Sequence, residues 1–146
     1  MNKKVFVKVV GTNAFADGDG GDNKTETFSE GEYYEKDGCR YIFYDEIVTD
    51  AGDAVRNQIK IENNRISIRK RGIISSELIF EINRNNVSEY STPFGTFLMG
   101  VFANDIKYKE TDDRLDIDIN YAMEVEYSKV SDCKVHIEVT DYCLRD

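Results

Sequence analysis

Between residues 115 and 127 apolar side chains take every second place: Leu115, Ile117, Ile119, Tyr121, Met123, Val125 and Tyr127. Asp116, Asp118, Asn120, Glu124 and Glu126 fill most of the places between. Successive side chains of an extended chain point to opposite faces, so this alternation separates a buried face from a wet one. At ~3.3 Å per residue the segment runs for ~40 Å, longer than a usual strand, and it has to bend around a core. The side-chain inventory agrees. Val, Ile, Thr, Tyr and Phe supply 51 residues, while Leu and Ala supply 10. β-Branched and aromatic side chains suit a pleated, half-buried surface, and a helical protein would draw on Leu and Ala. No window sustains apolar residues at three-and-four spacing. The fold class expected is all-β.

The same pattern divides the chain into ten extended segments: residues 3–12, 25–35, 40–49, 55–62, 65–71, 77–83, 87–91, 96–109, 114–127 and 134–142. Val5, Val7 and Val9 share one face, and Leu78, Phe80 and Ile82 point inward. Turn chemistry lies between the segments, at Asp17 to Asn23, Lys36-Asp37-Gly38, Asp50 to Asp53, Asn63-Asn64 and Thr92-Pro93. Gly31 marks a bulge or bend. Short turns joining sequential strands describe an antiparallel meander. An open meander of this size leaves two reactive edges, and closure removes them. The expectation is therefore an up-and-down β-barrel of eight to ten strands. A β-sandwich ranks second, because its crossovers need longer connections. At 146 residues the chain makes one domain spanning 1–146.

Acidic residues outnumber basic ones by 28 to 19, a net charge of −9. A phosphate backbone repels such a surface unless basic residues gather locally, so nucleic acid is not an expected partner. The start, Met1 to Lys8, has the positive end of a signal peptide, but Lys8 cuts the apolar stretch after three residues. The longest uncharged run, Tyr90 to Asn104, falls short of the ~20 residues that span a bilayer. No membrane partner is expected either. Cys39, Cys133 and Cys143 cannot all pair within one chain and match no paired Cys-x-x-Cys metal motif. They read as reduced thiols, and the cytoplasm is the simplest location.

Four segments follow one another in a familiar order: Gly31-Glu-Tyr-Tyr-Glu-Lys-Asp-Gly38, Tyr41-Ile-Phe-Tyr-Asp-Glu46, Arg69-Lys-Arg-Gly72 and Tyr90-Ser-Thr-Pro-Phe-Gly95. With the late strand Leu115 to Met123, they make the chain resemble the YwiB-like family of small bacterial proteins, a domain of unknown function. One departure is Phe94, where the family more often shows tyrosine. The resemblance covers nearly the whole chain. It implies a calycin-like, lipocalin-like barrel in a cytoplasmic bacterial protein. It brings no activity, substrate or catalytic residue.

Read for chemistry, the residues offer little that is catalytic. His136, the one histidine, falls on the polar face of its strand with no Gly-x-Ser-x-Gly, phosphate loop or second histidine to work with. Cys39 and Cys133 each follow a turn and read as hydrophobic packing or bland exposure. Asp17, Asp19, Asp22 and Asn23 fail the calcium-loop pattern, with Gly21, Asp22 and Phe28 at its fifth, sixth and twelfth places. No metal, cofactor or catalytic residue is expected, and an enzyme is the least favoured class. Arg65, Arg69 and Arg71 share one face of their strand, opposite Ile66 and Ile68. They read either as a solvated row or, if the strand bends near Gly72, as a source of one guanidinium aimed at Glu46 and Tyr44. Phe97 to Phe102 is apolar on both faces and reads as core combined with a dimer or docking surface.

The function expected is non-catalytic binding of a small, partly apolar or amphipathic molecule inside the barrel of a monomer or homodimer. Tyr44, Tyr90, Tyr121 and Met123 would form the wall, with Glu46 and Arg69 or Arg71 near one end. The rival is a barrel filled by its own 17 Tyr and Phe side chains and used as an interaction module. A cavity of ~300 Å³ or more separates the two.

Overall fold

The computed structural model describes residues 2–15, 23–47 and 51–141. They form ten strands: β1 (Asn2–Phe15), β2 (Asn23–Lys36), β3 (Cys39–Ile47), β4 (Ala54–Glu62), β5 (Arg65–Gly72), β6 (Ser75–Phe80), β7 (Asn85–Thr92), β8 (Gly95–Glu110), β9 (Arg114–Val125) and β10 (Ser128–Asp141). Each strand pairs antiparallel with its neighbours in sequence, and β1 closes on β10 in a register running from Val5↔Asp141 to Phe15↔Ser131. The result is a closed up-and-down barrel of ten strands, and the sandwich alternative falls away. Its lower end carries the turns at residues 37–38, 63–64, 81–84 and 111–113. Its upper end carries those at 73–74, 93–94 and 126–127.

Alternation decides what fills the barrel. Ile42, Ile59, Ile117, Ile119, Ile137 and Phe80 are fully buried inside. Each such side chain stabilises the fold by roughly 1.5–3 kcal/mol through the apolar surface removed from water. Gly31 lies in mid-strand rather than at a bulge. A Cβ there would stand 2.6 Å from the Phe43 carbonyl oxygen and 3.1 Å from a Val7 methyl, so close approach demands the missing side chain.

Three irregularities shape the ends. In β8 the ladder to β9 slips between Ala103 and Asp105, leaving Asn104 as an extra residue. Above the slip Met99, Val101 and Ala103 face inward; below it the inward phase moves to Ile106, Tyr108 and Glu110. The bulge thereby re-aims the lower part of the strand. Next, β6 stops at Phe80, and Asn83 in the left-handed region (φ 60°) turns the chain away. Ile82, expected to point into the core, is half-exposed at the lower end and makes an isolated bridge to Ala103. Finally, β9 ends at Val125, and Glu126 and Tyr127 form a two-residue turn with φ of 51° and 67°. Glu126 secures that turn by donating its N–H to the Leu98 carbonyl (2.8 Å) and accepting the Leu98 N–H (3.0 Å). Tyr127 projects into solvent there, so the period-two run loses its last member to the hairpin.

Candidate functional site

A polar belt runs around the upper half of the inner wall. In direct cross-strand register Tyr44 faces Asn57, Asn57 faces Lys70, Lys70 faces Ser76 and Ser76 faces Tyr90. Glu46 lies one inward place beyond Tyr44. Lys70 Nζ donates to Glu46 Oε1 (3.0 Å) and to Asn57 Oδ1 (2.9 Å), while Asn57 Nδ2 donates to Glu46 Oε1 (3.2 Å) and the Val55 carbonyl (3.3 Å). Asn57 is wholly buried, and these bonds offset the cost of placing its amide inside the barrel. Ser76 Oγ is buried without a hydrogen-bond partner. Burial, followed by the charge of Glu46, pushes both the Tyr44 and the Tyr90 hydroxyls up from the usual phenol pKa. Tyr121 packs edge-on against Phe80 at 4.9 Å and is likewise raised by burial, with Cys133 adding to the shift. Met123 shares that inner face between Val101 and Ser131.

Tyr44, Glu46, Tyr90, Tyr121 and Met123 are therefore all inside the barrel, but the cation that meets Glu46 is Lys70. Arg69 and Arg71 stay outside. Gly72 continues the β4–β5 ladder opposite Val55, so alternation holds to the end of the strand. Arg69 forms an ion pair with Glu77 (3.1 Å) on the outer wall, and Arg71 stands exposed opposite Arg56. Asn57, Lys70 and Ser76 escape sequence reasoning because a polar residue at an inward place reads as a lapse in the pattern.

Open space lies at the lower end instead. A cavity of about 580 Å³ is lined by Ile61, Ile66, Ile82, Ile106 and Tyr108, with Arg40, Arg65 and Arg84 facing Glu62 and Glu81 around it. The Asn104 bulge delivers Ile106 and Tyr108 to this space, and the turn after β6 delivers Ile82 and Arg84. Arg65 reaches Glu81 (3.7 Å) and Glu62 (3.8 Å), and Arg84 reaches Glu81 (3.6 Å). Arg40 crosses the mouth. From the inner face of β3 it donates through Nη1 to the Tyr108 hydroxyl and through Nη2 to Glu110 Oε1 (2.6 Å), with its guanidinium 5.4 Å from the Tyr108 ring centre. Beyond this crossbar lies a second cavity of about 440 Å³, lined by Val5, Tyr33, Leu115 and Val139 under an acidic rim. Burial, reinforced by the bond to Glu35 (2.8 Å), pushes the Tyr33 hydroxyl up to about 12.

The outer wall holds the other residues singled out by sequence. His136 Nδ1 bonds Asp118 (2.6 Å) and Nε2 bonds Glu138 (3.2 Å), with Asp116 at 3.7 Å. Asp116, His136 and Glu138 form a possible ligand set for a cation. Arg114 already answers the two carboxylates, at 2.8 Å and 3.0 Å. No nucleophile stands among these partners. Burial pushes the Cys133 thiol up, against the bonds from Ser131 and Tyr121 that lower it, so it lacks the depressed pKa of a reactive thiol. Of the apolar stretch in β8, Met99 and Val101 turn inward, Leu98 and Phe102 lie half-buried on the outside, and Phe97 is exposed at the upper end. Asp17, Asp19 and Asp22 lie outside the described residues, as does Cys143.

These features define a small all-β barrel, closed and packed through its middle, with polar groups inside one end and a cavity in the other. The chain belongs to the family described as "Domain of unknown function (DUF1934)", whose profile matches residues 7–137. The fold is also similar to the crystal structure of the ywiB protein from Bacillus subtilis, with a TM-score of 0.82 and 19% sequence identity, over 96% of this chain and 92% of that one. At that identity the likeness is one of fold. No curated protein matches the chain. The resemblance carried by the four ordered motifs is thus borne out, and among the described residues no helix is long and apolar enough to cross a membrane.

Proposed function

We propose that the protein binds, without turnover, a small and partly apolar molecule in the cavity at the lower end of the barrel. The observation that carries this reading is the coincidence of about 580 Å³ of space, an isoleucine lining and convergent arginines at one mouth. Small-molecule sites have that size, and here isoleucines share the lining about equally with charged and amide groups that can fix orientation. The cavity's volume lies above the ~300 Å³ at which small-molecule sites begin. The ligand seat differs from the one expected from sequence. Tyr44, Tyr90, Tyr121 and Met123 line neither of the cavities at the lower end, and the packed middle of the barrel lies between.

The test is native mass spectrometry of untagged protein from its own kind of cell, set against the same sample denatured. An excess mass that disappears on denaturation is expected, and Ile82→Glu, which puts a carboxylate on the cavity lip, should abolish it. A mass equal to that of the bare chain in both states would count against the reading. It would favour the interaction module instead, for which one observation speaks: Ile47, Ile73, Phe94 and Tyr127 all expose apolar surface at the upper end.

A further inference from the structure

We propose that the lower cavity is selective for an amphipathic monoanion, whose charged head displaces Glu110 from Arg40 while its apolar part lies on Ile61, Ile66, Ile82 and Ile106. This rests on the binding reading above and adds the charge of the ligand and the residue that reads it. Arg40 projects inward from β3 opposite Ile61, so its guanidinium stands at the edge of an isoleucine-lined space. That group cannot shed its charge, and its planar fork is built to take a carboxylate or a similar oxyanion. At an apolar edge such a cation needs an anion. Glu110 supplies one at 2.6 Å, so the molecule's own carboxylate occupies the seat that a ligand head would take.

Glu110 is suited to give up that seat. It is the last residue of β8, its side chain is one-third exposed, and the turn at residues 111–113 follows it. Released, its carboxylate moves into water, whose hydration replaces the lost ion pair. Arg40 keeps its place over the Tyr108 ring. The charges on either side then orient the ligand. Three arginines face two glutamates around the 580 Å³ cavity, so that side attracts an anion. Beyond the crossbar Lys3, Arg40 and Arg114 face five carboxylates, so an anionic head stops at Arg40 and goes no further. A cation or a neutral molecule would not be held in this way.

The purified full chain is titrated by fluorescence with 8-anilinonaphthalene-1-sulfonate and with its uncharged relative N-phenyl-1-naphthylamine. Both dyes should bind at one site per chain. Arg40→Gln should weaken the sulfonate about tenfold or more, the size of one charge-assisted bond, and leave the neutral dye within about twofold. Arg40→Lys, which keeps the charge and loses the fork, should fall between. Glu110→Gln, which removes the internal competitor, should tighten the sulfonate about threefold or more without moving the neutral dye. Glu110→Gln keeps the test decisive should the Arg40 variants fail to fold. If both dyes bind but respond alike, or not at all, to Arg40→Gln and Glu110→Gln, the head is not read by Arg40; the proposal fails and the cavity survives. If neither dye binds, or if Ile82→Glu leaves both unchanged, the cavity reading fails and this proposal with it.

Discussion

His136 stands among three carboxylates on the outside of the barrel, and its titration should be visible in stability. Partial burial alone would lower its pKa. The hydrogen bonds to Asp118 and Glu138, and the charges of both, outweigh that and raise it above 6.5. The folded state therefore holds the proton more tightly than the unfolded one. The stability this adds is complete below the unfolded pKa near 6.5 and is lost as pH rises through the higher folded value. His136→Gln should melt a few degrees below the wild type at about pH 5.5, with the gap shrinking towards about pH 9. Thermal melts across that range decide it, and a gap independent of pH would contradict the ion-pair account. At this scale legibility was uneven. Tyr44 and Glu46 could be put on one inner wall because both sit in phase with the buried Ile42. Lys70 could not. It is framed by Arg69 and Arg71, and a run of three basic residues reads as one solvated patch, although its middle member must face opposite to the other two.

Among the strands, the joint between β6 and β7 is unlike the others. Its ladder has two register pairs, Ser75↔Ser91 and Ser76↔Tyr90, whereas β9 and β10 are paired from Ser128↔Val125 to Thr140↔Arg114. Below those two pairs, side chains of β7 take over from the backbone. Ser88 Oγ donates to the Glu77 carbonyl (2.7 Å) and Asn86 Nδ2 to the Ile79 carbonyl (2.9 Å). Replacing both with alanine should cost about 1–3 kcal/mol, at roughly 0.5–1.5 kcal/mol for each bond. Hydrogen exchange locates the effect: amides of β6 and β7 should exchange first in the wild type and faster still in the double variant, with β9 and β10 unmoved. A uniform acceleration around the whole barrel would show that the seam has no separate opening. This joint was not legible, because nothing in the segment from Val87 to Ser91 tells a ladder bond from a side-chain substitute. The β8 bulge was legible in principle. Its apolar phase passes from Met99, Val101 and Ala103 to Ile106 and Tyr108, and that slip of one place is the signature of an inserted residue. It decides the site, because an unbroken phase would have turned Lys107 and Lys109 towards the cavity instead.

For the molecule as a whole, closure follows from edges: ten strands in sequential order have no other way to pair the outer rims of the first and last. That argument needed only the strand count, which is why the architecture was legible when the cavity was not. The cavity arises where turns from three hairpins meet, and its volume depends on how far each turn leans outward. Closure also carries a consequence for connectivity. β1 begins and β10 ends at the lower end, side by side, with Lys3 Nζ 2.7 Å from Asp141. The two ends can therefore be joined by a short Gly/Ser linker without disturbing any pairing, and the barrel becomes a ring of ten hairpin-linked strands. Opened at the exposed turn around Gly52, the ring loses no ladder bond. That circular permutant should fold cooperatively, melt within about 5 °C of the parent and retain dye binding, since the cut is at the upper end and the linker joins two strands that do not line the 580 Å³ cavity. Opened between Ile119 and Asn120, the same ring cuts a strand paired on both sides through fully buried positions, and it should lose its cooperative transition. Circular dichroism melts of the two permutants make the comparison. Equal stability of both would mean that the barrel does not depend on an unbroken β9, and failure of both would mean that the order in which strands join, and not closure alone, carries the fold.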